Sequence, residues 1–251
     1  MENQYGLSMI LYGRSKQGKS FCADTTPGPR VVLDAEMGSR FTPSRKIVWD
    51  PITQAPPVDD GTWDTAIVYV RQYATVSKAF EWLNSGKHPF RSAVLDSISE
   101  IQQRAVDDIA GTNQMKTTDW GDLLRRVSEL VRRFRDLTTN PLKPLDAVVM
   151  IAMARDVEGH TRPHVQGSLA TTLPYYVDVC AYLQVVPGDD GITPVRRLFV
   201  GPTPGYETGE RVGGRLGSYI DNPNITEMLA AIRDGDNTNV NTQITSITTE
   251  N

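Results

Sequence analysis

The chain has 251 residues, of which 39% are hydrophobic and 22% charged, with a net charge of −4. That length suits one α/β domain with a sizeable core. The negative total excludes a polycation, so any nucleic-acid contact must come from a local basic surface. Two cysteines, Cys22 and Cys180, are too few for a disulfide framework and fit a reducing cytoplasm. No apolar run approaches a membrane span and the first residues lack a signal-peptide pattern, so a cytoplasmic location without membrane contact is expected.

In chain order, the first apolar run is LSMILY at 7–12. Behind it, residues 13–20 read GRSKQGKS, a complete G-x-x-x-x-G-K-S phosphate-binding loop. Gly13 and Gly18 let the backbone curl until successive N–H groups point inward at phosphate oxygens. Arg14, Ser15, Lys16 and Gln17 form the body of the loop, and Phe21 follows it. The following helix adds its positive end. Lys19 is expected to reach the β- and γ-phosphates, and the Ser20 hydroxyl to ligate Mg²⁺.

Further β-branched runs are RVVLD (30–34), KIVW (46–49), TAIVYV (65–70), SAVLD (92–96), DAVVMIAM (146–153), VCAYLQVV (179–186) and RRLFVG (196–201). Several are almost wholly apolar, as central strands covered on both faces must be. Helical patterns fall at 76–84, 98–110 and 119–137, with Asp119 as N-cap of the last and Leu124, Val127, Val131 and Phe134 as its apolar stripe. Strands alternating with helices predict a mostly parallel sheet flanked by helices. Residues 50–64 are rich in Pro and Asp and read as an irregular excursion. The domain is expected to span 1–234, with 235–251, rich in Asn and Thr, as a disordered tail. His88, His160 and His164 have no metal-site spacing and read as surface or loop residues.

Hydrolysis needs a carboxylate in the Mg²⁺ shell and a group that orients water. Asp96 ends an apolar strand, so its carboxylate emerges at the carboxyl edge of the sheet, where the phosphate loop also lies. In VVLDAEMG at 31–38, Asp34 ends the second strand and Glu36 follows. If this strand and the first are neighbours, Glu36 projects beside the γ-phosphate as a general base. The other reading of Glu36 is a solvated loop carboxylate.

The order of phosphate loop, short helix, strand ending L-D-A-E and strand ending L-D-S resembles the RecA-like ATPases of homologous recombination. More narrowly, VVLDAEMGSR, SAVLDSISEIQ, DWGDLLRRVSEL, VVMIAMARD and LPYYVDVCAYL are similar to small phage-encoded RecA-core ATPases linked to single-strand annealing. The resemblance covers about residues 5–232 and implies an α/β RecA-like P-loop core with a twisted sheet. It implies ATP and Mg²⁺ as cofactors, Glu36 as catalytic base with Lys19 and Asp96, and Ser20 and Asp96 on the metal. It also implies single-stranded DNA as partner, self-association into a ring or filament, and a single-strand-binding or annealing partner protein. The location would be the host cytoplasm if the chain is phage-encoded. Where that family carries a polar sensor, usually Gln, this chain has Met153, Ala154 and Arg155. Arg155 reads either as a cationic sensor or as a solvated strand end. No N-terminal helical domain precedes the loop, which counts against autonomous filament assembly.

Two segments match the family's DNA loops: 110–118 with Lys116, and 155–168 with Arg155, His160, Arg162 and His164. The second reads as a flexible, polar loop. It lacks an aromatic stacking platform, and an ordinary surface loop remains the alternative. The arginines of 119–137 read as a solvated, salt-bridged helix face rather than a DNA track. Arg211 and Arg215, in the Gly-rich stretch 204–217, are candidates for a finger inserted into a neighbour's site, or residues of a mobile turn. The alternative functions are a nucleotide-gated accessory module that assists an annealing or replication partner, and a small-molecule P-loop kinase. No Arg-rich lid supports the kinase. N-K-x-D and L-S-G-G-Q are both absent, which disfavours a GTPase and a transporter ATPase.

Overall fold

The computed structural model describes residues 6–234 except Ser168 and Asp189. The tail reading of 235–251 lies outside the described residues. The apolar runs form strands β1 (Leu7–Gly13), β2 (Arg30–Asp34), β3 (Lys46–Val48), β4 (Thr65–Tyr69), β5 (Ser92–Asp96), β6 (Ala147–Val157), β8 (Val179–Pro187) and β9 (Pro194–Phe199), to which the short β7 (His160–Pro163), β10 (Gly209–Glu210) and β11 (Tyr219–Asp221) are added. The helices are α1 (Lys19–Ala23), α2 (Tyr73–Asn84), α3 (Ile98–Ala110), α4 (Thr117–Asp136), α5 (Leu169–Thr172) and α6 (Ile225–Asp234). The sheet order is β11-β9-β8-β1-β6-β5-β2-β4-β3, parallel from β8 through β3, with β9 and β11 added antiparallel.

Strand β1 is buried along its whole length, and its side chains alternate between two cores. Ile10 and Tyr12 join the layer packed by α2, α3 and α4, with Phe80, Ile101, Val127 and Phe134. Met9 and Leu11 join the opposite layer with Cys22 of α1 and Met228 and Leu229 of α6. Two helical layers over one mostly parallel sheet follow from strands that are apolar on both faces.

Four expectations need correction. Strands β1 and β2 are not neighbours, because β6 and β5 lie between them. Helix α4 begins at Thr117 rather than at a cap on Asp119, which sits in the first turn and accepts from the Lys116 N–H at 2.8 Å. Residues 155–163 are not a loop: β6 runs on past the sheet and pairs with β7 around a two-residue Glu158–Gly159 turn. Both turn residues have positive φ, 51° and 79°, the turn that matches strand twist. The excursion at 50–64 is irregular, as read, but it anchors Trp49 and Trp63 on Phe90 in the core.

The fourth correction is His88, which is 7% exposed and stacks on Phe90 at 5.8 Å. Burial, then the nearby Lys143 ammonium, push its pKa down to about 4. A histidine held below its unfolded value stabilises the fold above pH 6.5, and that contribution is lost as pH falls from 6.5 toward 4. Denaturant midpoints across that window should show wild type losing about 2 kcal/mol more than His88→Phe, allowing for partial solvent screening. Parallel losses in the two proteins would contradict this placement.

Candidate functional site

The loop at 13–20 leaves β1 at the carboxyl edge of the sheet and turns into α1. Its two glycines have separate steric reasons. A Cβ on Gly13 would lie 2.5 Å from the Leu183 carbonyl oxygen of β8, so only glycine lets the loop start this close to its neighbour. Gly18 has φ +95°, the left-handed region, and a Cβ there would strike the Arg196 side chain. The Gln17 carboxamide oxygen accepts from the Val185 N–H at 2.7 Å and moors the loop to β8. Lys19 folds back and donates to the carbonyls of Gly13 (3.0 Å) and Arg14 (2.9 Å). Burial lowers its pKa, offset by the carboxylates of Glu36 and Asp96. Ser15 and Lys16 are exposed on the loop, as is Phe21, at 46%.

On the β6–β5 side of the loop, Ser20 Oγ donates to Asp96 Oδ2 at 2.6 Å. Asp96 is 2% exposed. Burial pushes its pKa up to about 6; the Ser20 hydrogen bond works against that, and the neighbouring Glu36 and Asp34 add to it. Strands β2 and β5 pair with Asp34 opposite Asp96. Asp34 is fully buried and accepts from the N–H groups of Gly38 (3.3 Å) and Ser39 (2.9 Å), which fixes the turn after β2. The Ala35 N–H donates to the Asp96 carbonyl at 2.7 Å. The exposed Glu36 accepts from Ser97 Oγ, whose oxygen also accepts from the Glu100 N–H and caps α3. Glu36 therefore reaches the site through the end of β5, not from a strand beside β1. Serine is a common N-cap, so nothing in the sequence singled out Ser97 as a group that orients Glu36.

Ser20 and Asp96 offer one hydroxyl and one carboxylate, the oxygen set that Mg²⁺ takes beside substrate phosphates. No cluster of three or more His, Cys, Asp or Glu side chains that could hold a metal occurs among the described residues.

The β6–β7 hairpin rises beside the loop. Arg14 Nη2 pairs with Asp156 Oδ2 at 2.6 Å, and Tyr12 Oη donates to the Thr161 carbonyl at 3.1 Å. Asp156 and Thr161 lie on one hairpin face; Arg155 and Arg162, a directly opposed pair, lie on the other with the Val157–His160 pair. His164 follows, its N–H bonded to the Met153 carbonyl, and its pKa is lowered by burial and by Arg155. His160 Nε2 lies 3.5 Å from Glu207. Lys116 is exposed and immediately precedes α4. The α4 arginines have intramolecular partners: Arg125 with Asp122, Arg126 with Asp108, Arg133 with Glu129, Arg135 with Asp136, and Arg132 over the Tyr176 ring.

Arg211 and Arg215 lie at the other end of the sheet. Arg211 follows β10, whose Glu210 pairs with Val179 at the start of β8, and it donates to the Tyr175 and Val177 carbonyls. Arg215 donates to the Ile232 carbonyl of α6 at 3.1 Å. Neither shares the chain's own phosphate loop.

A family model described as an AAA domain matches residues 5–212. The chain belongs to the AAA domain family. That family and this sheet make it a P-loop ATPase domain, for which nucleotide, usually with Mg²⁺, is the expected ligand. No curated protein matches the chain. Among solved structures, a prototypical ATPase from the type III secretion system of pathogenic bacteria is similar at 12% identity and a TM-score of 0.46, covering 72% of this chain and 52% of that one. This AAA domain thus spans about half the length of that structure. No helix among the described residues is long and apolar enough to cross a membrane.

The raised Asp96 pKa sets a pH dependence. With its pKa near 6 the carboxylate is mostly ionised at pH 7.5, and if it holds Mg²⁺ a proton would compete with the cation as pH falls through about 6. Calorimetric titration of Mg²⁺ with nucleotide from pH 8 to 5 should show affinity falling by up to about tenfold per unit below pH 6, beyond the nucleotide's own titration. Asp96→Asn should bind weakly throughout and lack this extra slope. An identical slope in both proteins would remove Asp96 from the metal shell.

Proposed function

We propose that this domain hydrolyses ATP with Mg²⁺ and couples hydrolysis to single-stranded DNA, in recombination or annealing of the phage type. The observation that carries the reading is the chain of contacts Lys19–Ser20–Asp96–Ser97–Glu36 at the mouth of the phosphate loop. Lys19 supplies positive charge to the β- and γ-phosphates, and the N–H groups of Gly13–Ser20 cradle them. Ser20 and Asp96 would hold Mg²⁺, which would offset the charge that develops on the phosphate oxygens. Glu36, oriented by the Ser97 hydroxyl, accepts the proton of the attacking water. Its exposure leaves that proton a route to solvent.

The DNA side of the proposal rests on the hairpin. Like charges placed directly opposite across a strand pair repel. Arg155 and Arg162 are such a pair, and polyanion binding would relieve the repulsion. The opposite hairpin face is tied to the loop through Arg14–Asp156, so a change at the phosphates has a short mechanical path to the basic face. Lys116 would extend the DNA track, and Arg155 as phosphate sensor is the competing use of that residue. Arg211 and Arg215, remote from their own site, would serve a neighbour in a ring or filament only by releasing the carbonyls they now hold. An accessory module assisting an annealing partner would use the same hairpin without turnover.

Lys19→Ala should abolish ATP binding. Glu36→Gln should bind ATP with wild-type affinity and lose turnover by about a hundredfold or more. Normal hydrolysis by Glu36→Gln would reassign the base. Arg155→Ala and Arg162→Ala should each weaken single-stranded DNA binding and reduce the salt slope by about one unit or less. Unchanged slopes in both would place DNA elsewhere.

A further inference from the structure

One cation at the phosphate loop belongs to none of the groups above. Arg196, on β9, is exposed, and its side chain lies against Gly18: a Cβ built there would be 2.3 Å from Nε, 2.9 Å from Cδ and 3.3 Å from Cζ. It is also close enough to influence the buried Cys22 thiol on α1. Its backbone is held from two sides. Arg196 pairs with Val185 on β8, the residue whose N–H is bonded by Gln17 of the loop. Asn222 donates its N–H to the Arg196 carbonyl at 2.6 Å and accepts the Arg196 N–H at 3.3 Å. The neighbouring Arg197 pairs with Asp221 on β11, whereas no carboxylate pairs with Arg196 among the described residues. A guanidinium is thus carried to the loop by a braced strand, without an anion to neutralise it.

Strand β1 lies between β6 and β8, so the loop has two flanks. Ser20, Asp96 and Glu36 stand on the flank toward β6 and β5, where the metal and the terminal phosphate chemistry would be. A polyphosphate laid across the loop with its reacting end there turns its other end toward β8 and β9. We infer that Arg196 contacts the nucleotide in cis at its α-phosphate end, making the β8–β9 hairpin the second wall of the nucleotide site. The inference rests on the reading that Gly13–Ser20 holds the phosphates. It assigns the cation a role from within the same chain, distinct from a finger supplied by a neighbour. Arginine suits this position because its planar fork binds phosphate oxygens in pairs and stays charged at any working pH.

The test is calorimetric titration of ATP and of ADP, each with Mg²⁺, into wild type, Arg196→Ala and Arg196→Lys. Arg196→Ala should lose about tenfold in affinity for both nucleotides by the same factor, because both carry an α-phosphate. Arg196→Lys should recover part of that loss while keeping only a point charge. Affinities within twofold of wild type in both variants would overturn the contact. A loss confined to ATP would overturn the α-phosphate assignment and move Arg196 to the γ end. Wild type binding neither nucleotide would instead sink the loop reading on which the inference stands.

Discussion

The site depends on two strands that pair in register at the carboxyl edge of the sheet, β2 and β5, with Asp34 opposite Asp96. Because side chains alternate along a strand, a slip of one residue in either strand would turn its carboxylate to the other face. The register holds Asp34 in the interior, where it ties down the turn that follows, and the Ala35 N–H closes on the Asp96 carbonyl. Glu36 then has one short path, over the end of β5, to the Ser97 hydroxyl. Burial of the Asp96 carboxylate, with the neighbouring Glu36 and Asp34 adding to it, pushes its pKa up to about 6. A divalent cation and the Lys19 ammonium are the natural compensation.

The strand between β1 and β5 matters as much. β6 separates the phosphate loop from Asp96 by one strand, yet the Ser20 hydroxyl spans the gap at 2.6 Å. The same strand continues beyond the sheet into the hairpin that carries Arg155 and Arg162. One continuous piece of backbone therefore passes between the two halves of the nucleotide site and ends in the basic face. Arg14 and Tyr12 stitch that hairpin to β1. The nucleotide site and the proposed DNA face share elements rather than merely lying near one another.

Much of the fold was legible. RVVLD and SAVLD become strands with the expected ends, and residues 98–110 become α3, because apolar runs and helical spacing carry those elements without tertiary help. Strand order was not legible. Runs buried on both faces look alike, so nothing local said that β2 pairs with β5 instead of β1. The hairpin is not legible because its alternation is polar, with Arg155, Asp156, Thr161 and Arg162 in place of an apolar face. The burial of His88 is not legible either, because stacking on Phe90 depends on a turn whose path the sequence does not reveal. The phosphate loop is complete in the sequence, and Asp96 at the end of one strand and Glu36 just beyond another stand out by position as candidates. Ser97 and Arg196 do not, since one looks like an ordinary cap and the other like one of two adjacent arginines in a strand. The arginines singled out in the Gly-rich stretch lie at the far end of the sheet, bonded to carbonyls.

The proposed coupling of ATP hydrolysis to single-stranded DNA is tested most directly by steady-state ATP turnover of the full chain with Mg²⁺, titrated with single-stranded DNA, with duplex DNA and with none. Turnover should be slow alone, rise severalfold with single-stranded DNA and respond little to duplex. An identical rate under all three conditions would contradict the coupling, and release of no phosphate under any of them would contradict the site.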